Sequence, residues 1–209
     1  TGEYMMPAIW DLPDFDSHAA VHVFDDRATG LKAVIAVHST YLGPAAGGTR
    51  FWHYADSQAA VTDALRLSRG MSYKNAMAGL SAGGGKAVIL ANPARTKPQD
   101  MLDAFARAVD SLGGKYITAQ DVGMSEGDMV SLSKVTSHVA GLPGQGGDPG
   151  PYTARGVFLG VQAAAKHALG TDDMLGVHVA IQGVGSVGGG LARYLADHGA
   201  KLTLADVDA

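Results

Sequence analysis

The chain has 209 residues, 46% of them apolar and 17% charged, so it can bury a core and falls outside the disordered class. Lys and Arg number 16 against 20 Asp and Glu, a formal charge of −4 with no basic block, which excludes a phosphate-tracking nucleic-acid surface. Cysteine is absent, excluding disulfides, thiolate nucleophiles and Cys-ligated zinc, while the 29 glycines, about twice the usual ~7%, point to backbone that approaches something closely.

Ala20 to Asp25 and Leu31 to Ser39 are β-branched, apolar stretches joined by Arg27-Ala28-Thr29-Gly30, and they predict a hairpin. Ser57 is the expected cap of a helix over 58–69, with Gly70 as its stop and a second helical stretch, Tyr73 to Ala78, following at once. Gly83-Gly84-Gly85 leads into Lys86 to Leu90, a short buried strand by its apolar run. Thr96 to Leu112, with Pro98 in its first turn and Met101, Leu102, Phe105 and Val109 at helical spacing, predicts another helix, and Tyr116-Ile117-Thr118 a further strand. Gly141 to Pro151 is dense in glycine and proline and marks the domain boundary, dividing the chain into 1–145 and 146–209. Thr153 to Leu169 reads as a helix stopped by Gly170. Val177 to Gln182, Ser186 to His198 and Lys201 to Asp206 then read strand, helix, strand, one βαβ unit.

The expected fold class is therefore α/β: an N-terminal mixed-sheet domain followed by a Rossmann dinucleotide-binding domain. A complete domain of the second kind uses about six strands, so with Ala209 just past the second strand it is expected to be truncated after its first βαβ unit. No apolar run reaches the ~18 residues of a membrane span, and Thr1 to Asp16 carries no signal-peptide pattern. No membrane partner is expected, and the expected compartment is the cytoplasm.

Gly183-Val184-Gly185-Ser186-Val187-Gly188 fits G-x-G-x-x-G as a strand ends and a helix opens. Gly183 would permit the tight turn, Gly185 the close approach of a pyrophosphate and Gly188 the packing of helix on strand, while Ser186 and Val187 lie at the helix N-terminus that favours negative charge. Asp206 ends the next predicted strand 18 residues beyond Gly188, close to the ~20 expected of an acid that bonds a ribose 2′-hydroxyl. A carboxylate there would repel a 2′-phosphate, which favours NAD over NADP. Asp208 lies two residues on, and a solvated strand end is the plainer reading of either acid.

Lys74 sits in Met71-Ser72-Tyr73-Lys74-Asn75-Ala76, Lys86 follows three glycines, and Asp121 lies at a strand end in Thr118-Ala119-Gln120-Asp121-Val122-Gly123. Glycines would let a substrate come close, and a lysine in a poorly solvated cleft near a second cation has a lowered pKa that suits acid/base work. Spacing alone leaves a plainer reading open, two surface lysines and a turn aspartate. The eight histidines are scattered singly, with no His-x-x-x-His pair and no acidic cluster at ligand spacing, so no metal site is expected.

Six runs in order change the balance between those readings: Gly43 to Arg50 (Gly-Pro-Ala-Ala-Gly-Gly-Thr-Arg), Leu67 to Ala76, Gly83 to Ile89, Thr118 to Gly123, Thr153 to Val157 and Gln182 to Gly188. With them the chain from Gly43 to Asp208 resembles the amino-acid dehydrogenase family that includes the leucine, valine, phenylalanine and glutamate dehydrogenases. The resemblance implies that Lys74 holds the substrate α-carboxylate and that Lys86 activates the water attacking the imino carbon. Asp121 would exchange a proton with the substrate nitrogen, and Thr153 would bond the nicotinamide carboxamide. It implies a substrate-binding and oligomerisation domain over 1–145, the start of an NAD-binding domain over 146–209, and an active site in a cleft between the two whose closure would exclude water.

Ala46, Gly47 and Ala119 are the residues the resemblance assigns to the side-chain pocket. Glutamate dehydrogenases carry a lysine at the position of Ala46, so glutamate is disfavoured. Ala46 leans towards a bulky side chain and Ala119 towards a branched one. The expected activity is NAD-dependent oxidative deamination of a branched-chain amino acid to its 2-oxo acid, closest to the leucine and valine enzymes, with an aromatic substrate as in phenylalanine dehydrogenase the alternative. A homo-oligomer is expected. From a different class, the rival expectation is a non-catalytic binding or assembly module whose unfinished sheet edge favours association.

Overall fold

The computed structural model describes residues 8–94 and 96–207. Two compact units divide the chain, Thr1–Gly147 and Asp148–Ala209, so the change of unit falls within the glycine- and proline-dense run.

In the first unit β1 (Ala20–Asp26) and β2 (Leu31–Ser39) form an antiparallel hairpin. Three more strands complete the sheet: β3 (Ala45–Trp52), β4 (Gly83–Leu90) and β5 (Tyr116–Gln120), in the spatial order β1-β2-β4-β3-β5. β4 runs antiparallel to β2 and parallel to β3, and β3 parallel to β5, so the sheet is mixed. Its centre is covered on both faces, which is why β2 reads as a nearly continuous apolar run. α1 (Ser57–Met77) lays Ala60, Ala64 and Leu65 on Val34, Ala36 and Val88. On the other face α2 (Gln99–Asp110) and α3 (Glu126–Ser133) pack Phe105, Val109, Met129 and Leu132 against Ile35, Ala87, Ile89 and Tyr116.

The structure corrects four readings of this unit. Gly70 does not stop α1, which runs unbroken to Met77 and is capped by Asp56, whose side chain accepts from the Ala59 N–H at 2.7 Å, rather than by Ser57. A glycine inside a helix costs only about 1 kcal/mol, less than burial of the apolar face supplies, and Asn75 pins the far end by donating to the Gly83 carbonyl at 2.6 Å. α2 begins after Pro98 instead of including it, because Thr96 is engaged with Asn92. β3 was not expected at all. With Pro44 before it and Gly47 and Gly48 within it, Ala45 to Trp52 lacks the β-branched signal, yet it becomes an interior strand because small residues fit between crowded neighbours. The fourth, α3, carries a capping box from Ser125 and Asp128, a spacing visible in the sequence but not read.

The second unit contains α4 (Gly150–Leu169), β6 (His178–Gln182), α5 (Ser186–Asp197) and β7 (Lys201–Ala205). β6 and β7 pair in parallel from His178 with Lys201 to Gln182 with Ala205, giving the expected βαβ unit. α4 begins three residues before the expected Thr153, with Pro151 in its first turn, where the missing N–H costs nothing. Phe158, Ala165, Met174, Ile181, Leu191 and Leu195 form its core.

Candidate functional site

Strand register decides which residues of the first unit meet. Gly84, Lys86 and Val88 alternate onto the α1 side of β4. Their partners across the ladders are Ala46 and Arg50 on β3 and Ala36 on β2, while Ala119 on β5 pairs with Gly48. Asp121 follows directly after β5, and its Oδ2 accepts hydrogen bonds from Lys86 Nζ and, at 3.2 Å, from Arg50 Nε. Oδ1 accepts from the Val122 N–H at 2.8 Å. Gly48 makes the approach possible, since a Cβ there would stand 2.8 Å from the Asp121 Cβ.

Lys86 is only 6% exposed. Burial pushes its ammonium below the ordinary lysine value, Arg50 and Lys74 push the same way, and the bond and charge of Asp121 oppose them. For Asp121, burial works against the charged form, but the hydrogen bond and charge of Lys86, the Val122 N–H and the Arg50 guanidinium outweigh it and hold the carboxyl below the usual range. Lys74 stands exposed in the last turn of α1, near enough for its charge to act on Lys86. Each member of the pair can therefore trade a proton with a bound molecule beside an available cation, which is the equipment for acid/base chemistry on an anionic substrate.

The triple glycine before Lys86 serves a different purpose from the one its composition suggested. A Cβ on Gly84 would fall 2.2 Å from the Ser72 nitrogen, one on Gly85 2.6 Å from the Tyr116 ring, and one on Gly47 1.8 Å from the Gly85 carbonyl oxygen. Protein, not ligand, fills this space. The glycines bring α1, β3 and the Tyr116 ring onto β4, and so place Lys74 near Lys86. Ala46 and Ala119 are half-buried, and Gly47 is buried.

Three further residues join the cluster unannounced. Arg50 also bonds Asp63 Oδ2 at 2.9 Å, and Tyr54 donates to the same oxygen at 2.6 Å. Arg50 closes the Gly-Gly-Thr-Arg run, which was the one available signal. Asp63 and Tyr54 had none, being an ordinary helix-surface acid and a loop tyrosine by sequence.

In the second unit the glycine loop is held by backbone. The Gly183 N–H continues the strand ladder to the Ala205 carbonyl at 2.7 Å, and a Cβ on Gly188 would lie 1.9 Å from the Gly183 carbonyl oxygen, so the third glycine lets α5 close on the loop. Gly185 is the residue before α5 and faces open space. Asp206 accepts from the Val184 N–H at 2.5 Å, which ties the carboxylate after β7 to the loop. Asp208 lies outside the described residues. Ser186 and Val187 open α5, with the Ser186 Oγ against Gly150 of α4. A groove of about 630 Å³ beside them is lined by Asp148, Val184, Gly185, Ser186, Arg193 and Tyr194. Thr153 is exposed on α4, its hydroxyl donating to the Pro149 carbonyl at 2.9 Å. Among the described residues no group of three or more His, Asp or Glu is placed to hold a metal ion, and no helix is long and apolar enough to cross a membrane.

Residues 16–138 match the family model for the Glu/Leu/Phe/Val dehydrogenase dimerisation domain. The chain belongs to the Glu/Leu/Phe/Val dehydrogenase family. It is 50% identical over 186 residues to leucine dehydrogenase of Bacillus subtilis (strain 168), a match covering 88% of this chain and 51% of that protein. It is likewise 50% identical over 197 residues to valine dehydrogenase of Streptomyces virginiae, covering 93% of this chain and 55% of the relative. Among solved structures, L-tryptophan dehydrogenase from Nostoc punctiforme matches with a TM-score of 0.65 and 45% identity, covering 90% of this chain and 54% of that one. The chain spans about half the length of the curated relatives it matches.

Proposed function

We propose that the protein is an NAD-dependent amino-acid dehydrogenase that converts a branched-chain L-amino acid, such as leucine, valine or isoleucine, to its 2-oxo acid and ammonia, and catalyses the reverse amination. The observation that carries this reading is the buried Lys86 bonded to Asp121 with the Lys74 ammonium nearby. The names of two relatives, leucine and valine dehydrogenase, support the substrate class.

The second unit fits a dinucleotide. Gly185 leaves room for a diphosphate at the start of α5, and Asp206 stands after the adjacent strand, suited to a ribose diol. Gly183, Gly185, Ser186, Val187 and Gly188 would hold the diphosphate, Asp206 the ribose and Thr153 the carboxamide. NAD supplies a hydride acceptor, which no side chain of this cysteine-free protein can replace.

In this reading Lys74 binds the substrate carboxylate. Loss of hydride from Cα leaves an imino carbon, to which Lys86, poised by its lowered proton affinity, directs water by taking one of its protons. Asp121 receives a proton from the substrate amine and returns one to the nitrogen as the C–N bond breaks, while the remaining hydroxyl proton passes to solvent as the carbonyl forms, releasing ammonia and the 2-oxo acid. Ala46, Gly47 and Ala119 shape the wall against the substrate side chain. The small Ala46 favours a second reading with an aromatic substrate, which the tryptophan dehydrogenase relative also supports. The dimerisation-domain match supports a homo-oligomer assembled through the first unit.

The test is NADH formation by the purified protein with L-leucine, L-valine, L-isoleucine, L-phenylalanine and L-tryptophan. Faster turnover of the first three supports the proposal, faster turnover of the aromatic pair transfers it to the second reading, and no NADH with any of them overturns it.

A further inference from the structure

The guanidinium of Arg50 stands between two carboxylates on different elements. Its Nε faces Asp121 after β5, and its terminal nitrogen faces Asp63 on α1, itself held by the Tyr54 hydroxyl. An arginine is suited to this because its planar fork presents donors in fixed directions, whereas a lysine offers one compact charge. Two cations, Lys86 and Arg50, thus share the single Oδ2 of Asp121. A cleft of about 580 Å³ is lined by Arg50, Trp52, Tyr54, Asp63, Arg66 and Val122.

We propose that Arg50 is a positioning residue: anchored by Asp63 and Tyr54, it keeps the Asp121 carboxylate turned onto Lys86 and ionised while Lys86 changes its protonation state. This rests on the roles proposed above for Lys86 and Asp121. Without Arg50, a Lys86 that gave up its proton would leave a half-buried carboxylate facing a neutral amine, and Asp121 would take up the proton. With it, the carboxylate keeps a permanent cation. The charged and titratable groups around the pair are Lys86 on β4, Arg50 on β3, Lys74 and Asp63 on α1 and Tyr116 on β5. Arg50 lowers the proton affinity of Lys86 and Asp121 together, whereas Lys86 and Asp121 each favour charge in the other.

The experiment is a carbon-13 carboxyl NMR titration of Asp121 in the purified protein, its resonance assigned by Asp121→Asn, in the parent, in Arg50→Met and in Arg50→Lys. Loss of an opposite charge at this range shifts a carboxylate by about one to three pH units, so Arg50→Met is expected to raise the Asp121 midpoint by about one unit or more and Arg50→Lys by less. Asp63→Asn placed in the Arg50→Met background is expected to add nothing. In parallel, kcat for the amino acid falls with its KM nearly unchanged, and the pH profile moves to the alkaline side; a merely structural lesion lowers the yield of folded enzyme without moving the profile. An Asp121 midpoint unmoved in either folded variant overturns the role. Absence of amino-acid oxidation by the parent protein overturns the proposed function instead, and the NMR titration still judges Arg50.

Discussion

In the first unit the candidate chemistry rests on charged side chains from β3, β4, α1 and the loop after β5, whereas in the second it rests on backbone, with three glycines and one strand-end carboxylate within a single strand-loop-helix-strand run. The contrast follows from what each has to hold. A diphosphate is met by N–H groups at a helix start, which any sequence supplies once side chains stand aside. Proton transfer needs groups of tuned affinity, which only burial and neighbouring charges provide.

The largest expected effect separates the two regions outright. Lys86→Ala is expected to lower turnover by about 10²–10⁴-fold or more while the NAD dissociation constant, read by fluorescence or calorimetry, stays nearly the same. Equal loss of both would end the division of labour.

Next come the glycines, which in the first unit serve close packing rather than the ligand approach that composition suggests, in contrast to the open Gly185 of the second. Gly84→Ala drives a methyl into the Ser72 backbone. It is expected to cost about 1–3 kcal/mol of unfolding free energy, as overpacked cores do. Gly70→Ala on the same helix meets nothing within 4 Å, and is expected to add about 0.5–1 kcal/mol. Urea unfolding of both variants checks the pair, and similar signs for the two would show that the packing account is wrong.

A smaller effect tests the second unit alone. Asp206→Ala is expected to weaken NAD by about ten-fold, the loss of one charge-assisted hydrogen bond, and NADP by less, because the 2′-phosphate is no longer repelled. Equal losses would remove the ribose role.

The smallest effect concerns acid. Burial lowers the proton affinity of His18, so the folded state binds fewer protons than the unfolded chain, and stability is expected to fall as pH drops below about 6.5. Asp121 and Asp128 are held below the usual carboxylate range, so the stability they add is present above about pH 4 and lost below it. Unfolding free energy measured across pH should show both windows, and His18→Gln should shrink the upper one, leaving the part that comes from His22, whose proton affinity burial also lowers.

The strands β1 and β2, the βαβ unit and the glycine loop were legible because each is written in neighbouring residues: alternation, an apolar run, a spacing of glycines. The run Ala45 to Trp52 was not, because glycine and alanine have little strand preference of their own and β3 exists only where its neighbours demand small residues. The lysines and the aspartate could be named as candidates from their settings and from the family resemblance, yet periodicity could not bring them together. Lys86 and Asp121 are 35 residues apart, and Arg50 and Asp121 71. Local pattern thus determined the fold class and the glycine loop. The tertiary structure alone decided that Gly84 yields to α1 rather than to a ligand, that Gly48 makes room for Asp121, and that Arg50 reaches Asp63 as well. Each of those depends on which atoms are forced into the same small volume, and that is a property of the packed sheet rather than of any stretch of chain.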